Sequence, residues 1–278
     1  MPENYVPKRV VSLQPSITVT FRDLGLLHHL AACTKYCRDV CPELSGFNCK
    51  VIEDSWTAKA DEILAAKPDL VIASVPYQIE ALAQIMKSGI PFLGFAPKSL
   101  ADVYSDIAAI ARIMGQEERG MELIAKIQDA ITQVRQKVPA TSRPLVYCEE
   151  WGKPLIRSQK WVAELVEAAG GRFFGHPGTQ LVADEVLEAN PEVIVAAWCG
   201  AGNRVPLEKM MERRNWENIQ AVRDRRVYCI DDECLNTPAT TLLQGLQALA
   251  AAIHPEVFEP TPKLRQIAAI PLDSKAAG

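Results

Sequence analysis

Residues 33–43, CTKYCRDVCPE, place Cys33, Cys37 and Cys41 four residues apart, and Cys49 follows shortly after. Thiolates are nucleophiles and soft metal ligands, so the stretch raises three readings: a metal site, a disulfide knot, or part of a pocket rich in sulfur. Four-residue spacing aligns three sulfurs only on a helix, and a single face bearing three donors is not a zinc cage without a fourth. Cys49 would complete one. No pair is spaced C-x2-C, so the zinc-ribbon and thioredoxin patterns are absent. Eight cysteines in 278 residues are too few for a disulfide scaffold. The simpler reading is free thiols acting as small buried hydrophobes.

Other catalytic signatures are missing. The chain has no G-x-S-x-G elbow, no Walker loop and no H-E-x-x-H. His28, His29 and His254 end helical patterns and His176 stands alone in GHPG, which suits surface or capping roles better than ligation. Aromatic residues are better placed for function. Tyr36, Tyr77, Trp151 and Trp198 fall in loops that follow candidate strands, and Trp56 sits in EDSWTAK. Aromatic planes gathered in a cleft suit a large flat ligand with apolar faces. The competing reading is that these rings plug a contact between lobes.

Those loops are positioned by an alternation of strands and helices. RVVSL (9–13), HLAACT (29–34) and the apolar ends of ADEILAAKPDLVIAS and SGIPFLGF read as strands, with helices between them. The cysteine stretch is then expected in the loop after the second strand. From 99 to about 137 the chain reads as helix with a break near Gly115, its second part apolar on one face and charged on the other. The alternation restarts at RPLVYCEEW and continues through ADEVLEANPEVIVAAWCG, RRVYCIDDECLN and a last helix in 238–253. ADEILAAKPDLVIA at 60 and ADEVLEANPEVIVA at 183 match at seven positions. Such a repeat implies two similar α/β lobes.

The expected organisation is an N-terminal lobe over 1–114, a connecting helix over 115–140, a second lobe over 141–260, and a polar, frayed tail over 261–278. Ligands of parallel α/β sheets bind beyond the carboxyl ends of the strands. The candidate loops are therefore QPS, TKYC, SVPY, EEWGKP, WCGAGN and DDECLN. A net charge of −4 offers no basic field for nucleic acid, and no run of about 18 apolar residues suggests a membrane span. No apolar run precedes the first strand, so the expectation is a cytoplasmic protein, or a periplasmic one if a leader has been removed.

Taken in order, RVVSLQPSITVTFRDLGL, DEILAAKPDLVIA, SGIPF, LVEAAGGRFF, ADEVLEANPEVIVAA and AVRDRRVYCIDDECLNTP resemble the substrate-binding proteins of ABC importers for cobalamin and iron chelates. The similarity runs from residue 8 to about 258 and is greatest to the leaderless cobalamin-binding branch. It implies two Rossmann-like lobes joined by a rigid helix, the class III architecture of periplasmic binding proteins. It implies non-catalytic binding of cobalamin or another metal chelate, with no membrane insertion and with an ABC permease as partner. The family's corrin-contacting tyrosine falls on Tyr36, its first-lobe aromatic approximately on Trp56, and its loop before the last helix on Asp231, Asp232, Glu233, Cys234 and Leu235. Its second-lobe tryptophan falls near Gly178, so Trp151 or Trp198 is expected to take that place. The acids that dock on permease arginines fall on Asp61 and Asp184, with Glu62 and Glu185 beside them; helix capping is the plainer role for an Asp at a helix start. Cys37, Cys199 and Cys234 are candidates to approach a bound metal centre as thiolates. Iron-siderophore or haem binding is the alternative within the class, and a cysteine-based metal or redox enzyme the alternative outside it.

Overall fold

The β-branched runs become short strands buried on both faces, as parallel sheets require. The structure, a computed structural model, describes residues 5–53, 59–75, 79–139 and 142–268. The chain divides into two compact units, one running through Asp129 and taking in Thr237–Thr241, the other comprising Ala130–Asn236 and the chain from Leu242 onward.

The first unit contains β1 (Val10–Ser12), α1 (Pro15–Asp23), β2 (Leu30–Thr34), α2 (Lys35–Val40), β3 (Lys50–Ile52), α3 (Ala60–Ala65), β4 (Leu70–Ser74), α4 (Ile79–Lys87), β5 (Phe92–Phe95) and α5 (Leu100–Ile113). Helix α6 (Glu117–Lys137) begins in this unit. The strands form a parallel sheet in the order β3-β2-β1-β4-β5. Alternate residues of each strand serve opposite cores. Val10, Cys33 and Ile72 pack with Ile17 and Phe21 of α1 and Ile110 of α5. Val11, Ala32 and Val71 pack with Ile63 of α3 and Ile85 of α4. Helices on both faces make the unit doubly wound. Ser99 and Asp102 close a reciprocal cap at the start of α5, and the chain leaves its end through Gly115 at φ +66°. That left-handed turn is the expected break before α6, and it suits glycine.

The second unit contains β6 (Leu145–Gly152), β7 (Leu155–Arg157), α7 (Lys160–Ala168), β8 (Arg172–Phe173), β9 (Gln180–Leu181), α8 (Ala183–Ala189), β10 (Val193–Ala196), α9 (Leu207–Arg213), α10 (Gln220–Arg223), β11 (Val227–Ile230), α11 (Glu233–Asn236), α12 (Leu242–Ile253) and β12 (Leu264–Gln266). The sheet order is β12-β11-β10-β6-β7-β9, with β8 also beside β6. Strands β6, β10 and β11 run parallel, while β7 and β12 are antiparallel to their neighbours β6 and β11.

The internal repeat takes the same form in each unit: helix, left-handed turn, strand. Lys67 after α3 has φ 49° and Asn190 after α8 has φ 47°. They occupy the same position of the two repeats. A side chain at positive φ is uncommon, and Asn tolerates it better than Lys.

Three expectations change. The cysteine stretch is not a loop: Cys33 lies in β2 and Cys37 in α2, because Thr34 caps the helix directly at the strand end by accepting from the Cys37 N–H. EEWG is not a loop either: β6 runs on through it and turns at Lys153-Pro154 into β7 as a hairpin. The stretch after Pro260, expected as a frayed tail, contributes β12 along the edge of β11.

Candidate functional site

In the second unit, the carboxyl ends of β6, β10 and β11 gather charged and aromatic groups at one edge of the sheet. Tyr147 and Glu149 alternate onto the same face of β6. Glu149 has no exposed surface. Its carboxylate accepts from Tyr147 Oη at 2.6 Å and from the Trp198 indole Nε1 at 2.7 Å. It also accepts both prongs of the Arg214 guanidinium, Nη1 at 2.8 Å and Nη2 at 3.0 Å. A bidentate fork of this kind is the strongest way to hold a buried carboxylate. Arg214 donates further to the Gly152 carbonyl at 3.2 Å and stacks 4.8 Å from the Trp216 ring centre. The Trp198 ring lies so close to Gly152 that a Cβ there would sit 2.4 Å from its Cζ2.

The next residue along β6, Glu150, faces the other way. Burial pushes its carboxyl up, against hydrogen bonds from Gln159 that act downward. Gln159 Nε2 donates to it at 3.0 Å, and the Cys199 sulfur is 4.0 Å from it. Asn236 Nδ2 donates to that sulfur at 3.3 Å and to the Ala197 carbonyl at 2.7 Å. Asp232, in the turn between β11 and α11, accepts the backbone N–H groups of Gly200 at 2.7 Å and Gly202 at 2.8 Å; DDECLN, expected as a loop, is mostly α11, and the turn before it holds WCGAGN. Burial raises the Asp232 carboxyl while those two N–H groups lower it, and burial prevails.

The structure thus brings Trp198, Cys199 and Asp232 together. Trp151 is exposed on β6, with its Nε1 tied to the Lys153 carbonyl at 2.9 Å. Asp231 and Glu233 are taken up by Lys263, at 2.8 Å and 2.7 Å. Cys234 and Leu235 are fully buried, and the Leu235 carbonyl accepts the Trp161 indole at 2.8 Å. Their side chains face the core and offer a ligand no surface.

In the first unit, Tyr36 on α2 is 39% exposed and the Lys35 ammonium stands 5.0 Å from its ring centre. Cys37 has no exposed surface, and burial pushes its thiol well up. The Cys37 sulfur lies 3.2 Å from Thr34 Oγ1 and 3.8 Å from the Ser12 carbonyl. Among the described residues no three His, Cys, Asp or Glu side chains are grouped to hold a metal ion, so the four-cysteine zinc cage considered from spacing does not form. Trp56 and Tyr77 lie outside the described residues.

The acids of the repeat are not N-caps. Lys59 and Val182 hold the cap positions, and Asp61 and Asp184 are exposed in the first turns of α3 and α8. There they suit the helix dipole. Glu185, not Asp184, closes its helix by accepting the Val182 N–H at 2.9 Å, and it pairs with Arg157 at 3.1 Å. Glu62 Oε2 is buried without a hydrogen-bond partner among the described residues.

Sequence reasoning passed over Glu149, Glu150, Gln159, Arg214 and Asn236. One signal was present: YCEEW places an acid at alternate spacing from a tyrosine inside an apolar strand, and a buried acid demands a partner. Nothing local pointed to Arg214, which is 65 residues away.

The Cys199 thiol yields a direct check. Cys199 is exposed at its surface, yet partial loss of water around the sulfur, with Glu150 and Asp232 nearby, pushes the thiol up to about 12. Thiolate is the reactive form, so its native labelling by a maleimide is expected to rise about tenfold per pH unit from 7 to 10, without levelling near 9. Peptide mapping of pulse-labelled protein reads this; a plateau near the ordinary thiol value overturns it.

Parallel α/β units whose carboxyl-end loops carry rings and carboxylates have the make-up of a ligand-binding protein. The chain belongs to the periplasmic binding protein family, whose model matches residues 10–234. This bears out the resemblance to substrate-binding proteins of ABC importers. An uncharacterised ABC transporter substrate-binding lipoprotein of Bacillus subtilis is 25% identical over 268 residues, covering 91% of this chain and 82% of the relative. A vitamin B12-binding protein of Vibrio cholerae is 24% identical over 251 residues, covering 86% and 87%. Among solved structures, a periplasmic heme-binding protein from Pseudomonas aeruginosa superposes with a TM-score of 0.83 at 19% identity, covering 95% of this chain and 99% of that one, and shares the fold. Among the described residues no helix is long and apolar enough to cross a membrane.

Proposed function

We propose that this protein binds cobalamin or a related corrinoid, without catalysis, as the substrate-binding component of an ABC importer. The observation that carries the reading is the similarity to a vitamin B12-binding protein along 86% of the chain. The site chemistry supports it. Trp198 and Trp151 carry flat apolar rings, and Glu150, Asp232 and Asn236 supply polar groups around Cys199 and Gly200, in the loop that carries Trp198. A corrinoid needs both, a broad apolar face and hydrogen-bonding rim groups. Tyr36, Trp56 and Tyr77 are the proposed first-unit counterparts. Asp61, Glu62, Asp184 and Glu185 are proposed to meet arginines of a permease; of these, Asp61 and Asp184 are exposed in the first turns of their helices.

A calorimetric titration with cyanocobalamin and hydroxocobalamin, with visible spectra alongside, tests the reading. One-to-one binding tighter than about 1 μM is expected. A spectral change confined to the hydroxo form would mark a protein donor on cobalt. Absence of binding to either form would remove the corrinoid reading and bring haem and iron siderophores forward.

A further inference from the structure

The Trp198 ring is held from two sides. Its donor is tied at 2.7 Å to a carboxylate with no exposed surface. Its benzene edge lies against Gly152, where even a methyl group would overlap it. The carboxylate in turn is held by Tyr147 and by the Arg214 fork, and Arg214 also donates to the Gly152 carbonyl. Both surfaces that hold the ring are therefore linked through Arg214. Stability is a weak account of this network, because a buried ion pair seldom exceeds an apolar replacement in stability. Positioning is a better one. A free indole loses rotamer entropy when it packs on a ligand, whereas a clamped one has lost it on folding.

We propose, resting on the metal-chelate reading above, that Glu149 is a positioning residue for ligand binding that acts through Trp198, with Arg214 and Gly152 completing the clamp. Glu149 itself does not touch the ligand, since it has no surface to offer. The Trp198 ring does, and its orientation is set before the ligand arrives.

The test is a double-mutant cycle read by affinity, with hydroxocobalamin and haemin as probes. E149Q and W198F are each expected to weaken binding about tenfold, the scale of one charge-assisted hydrogen bond. In the W198F background, E149Q is expected to add nothing. Equal factors in both backgrounds, or no effect of E149Q in the wild type, overturn the proposal. The indole N–H resonance of Trp198, assigned by its loss in W198F, is expected to move upfield in E149Q. If E149Q does not fold, G152A leaves the ion pair in place and displaces only the ring; it too is expected to lose about tenfold, and unchanged affinity overturns the clamp. If the wild type binds neither probe, the functional reading falls separately, and so does Glu149 as a positioning residue for binding. The resonance then reports on the clamp alone, and an unmoved signal in E149Q overturns that as well.

Discussion

Replacing Arg214 with methionine is expected to lower stability by about 3–5 kcal/mol, the cost of leaving a buried charge without its partner. Methionine keeps much of the apolar stem that lies against Trp216, so lost packing is the smaller effect. What disappears is the countercharge of Glu149, whose side chain has no exposed surface while that of Arg214 is 12% exposed. Two donors remain, Tyr147 and Trp198, and both are neutral. Neutral donors do not offset the transfer of a carboxylate out of water. For a unit of this size the midpoint of thermal unfolding should fall by roughly 10 °C. Circular dichroism melts of the two proteins measure it. A fall of under about 3 °C would mean that water reaches Glu149 or that the pair does not form. The double replacement E149L/R214M supplies the complementary measurement. It removes both charges and should recover most of the loss, since apolar residues of similar volume commonly replace a buried pair without penalty.

Replacing Gly245 with alanine sets two effects of opposite sign against each other. Within α12, alanine is the better helix former by about 1 kcal/mol. Against that, a Cβ at this position would lie 2.2 Å from the Cys234 carbonyl oxygen, 3.1 Å from its carbon and 2.8 Å from Leu235 Cδ2. The nearest of these is backbone, which cannot rotate away, so α11 must move bodily. Overpacking of this kind costs about 3 kcal/mol and exceeds the propensity gain. The consequence reaches the candidate site, because Asp232 one turn earlier holds the N–H groups of Gly200 and Gly202, and the Leu235 carbonyl holds the Trp161 indole. G245A is therefore expected to be less stable by about 2 kcal/mol net. It should also alter the Trp161 indole N–H resonance. A variant as stable as the wild type would show that α11 and α12 are not in contact at this point.

Much of the fold was readable because its causes are local. VVS, LVIAS and VIVA are apolar on both faces, and only a strand between two layers of helix uses such a run. The repeat at 60 and 183 specified helix, stop and strand twice, and the structure adds a left-handed turn at the same position of each, Lys67 and Asn190. Boundaries were less legible where a strand passes into its neighbour without turn residues. Thr34 ends β2 and caps α2 in one step, and a threonine that suits a helix cap suits a loop equally well. EEWG reads as polar, yet hydrogen bonds to β7 extend the strand through it.

The sequence by itself determined the central parallel strands and the long helices, and that the helix-strand pattern occurs twice. Period, apolar runs and turn residues encode those features within a few residues of where they act. Tertiary structure alone decided the chemistry of the site. It buried Glu149 and brought it an arginine 65 residues on, and it tied Trp198 to that carboxylate across 49. It turned Cys37 and Cys234 into the core and left Cys199 beside Glu150. A charge in water has no preferred partner. One taken out of water must find its partner wherever the sheet brings one, and the order of strands, not the order of residues, sets that.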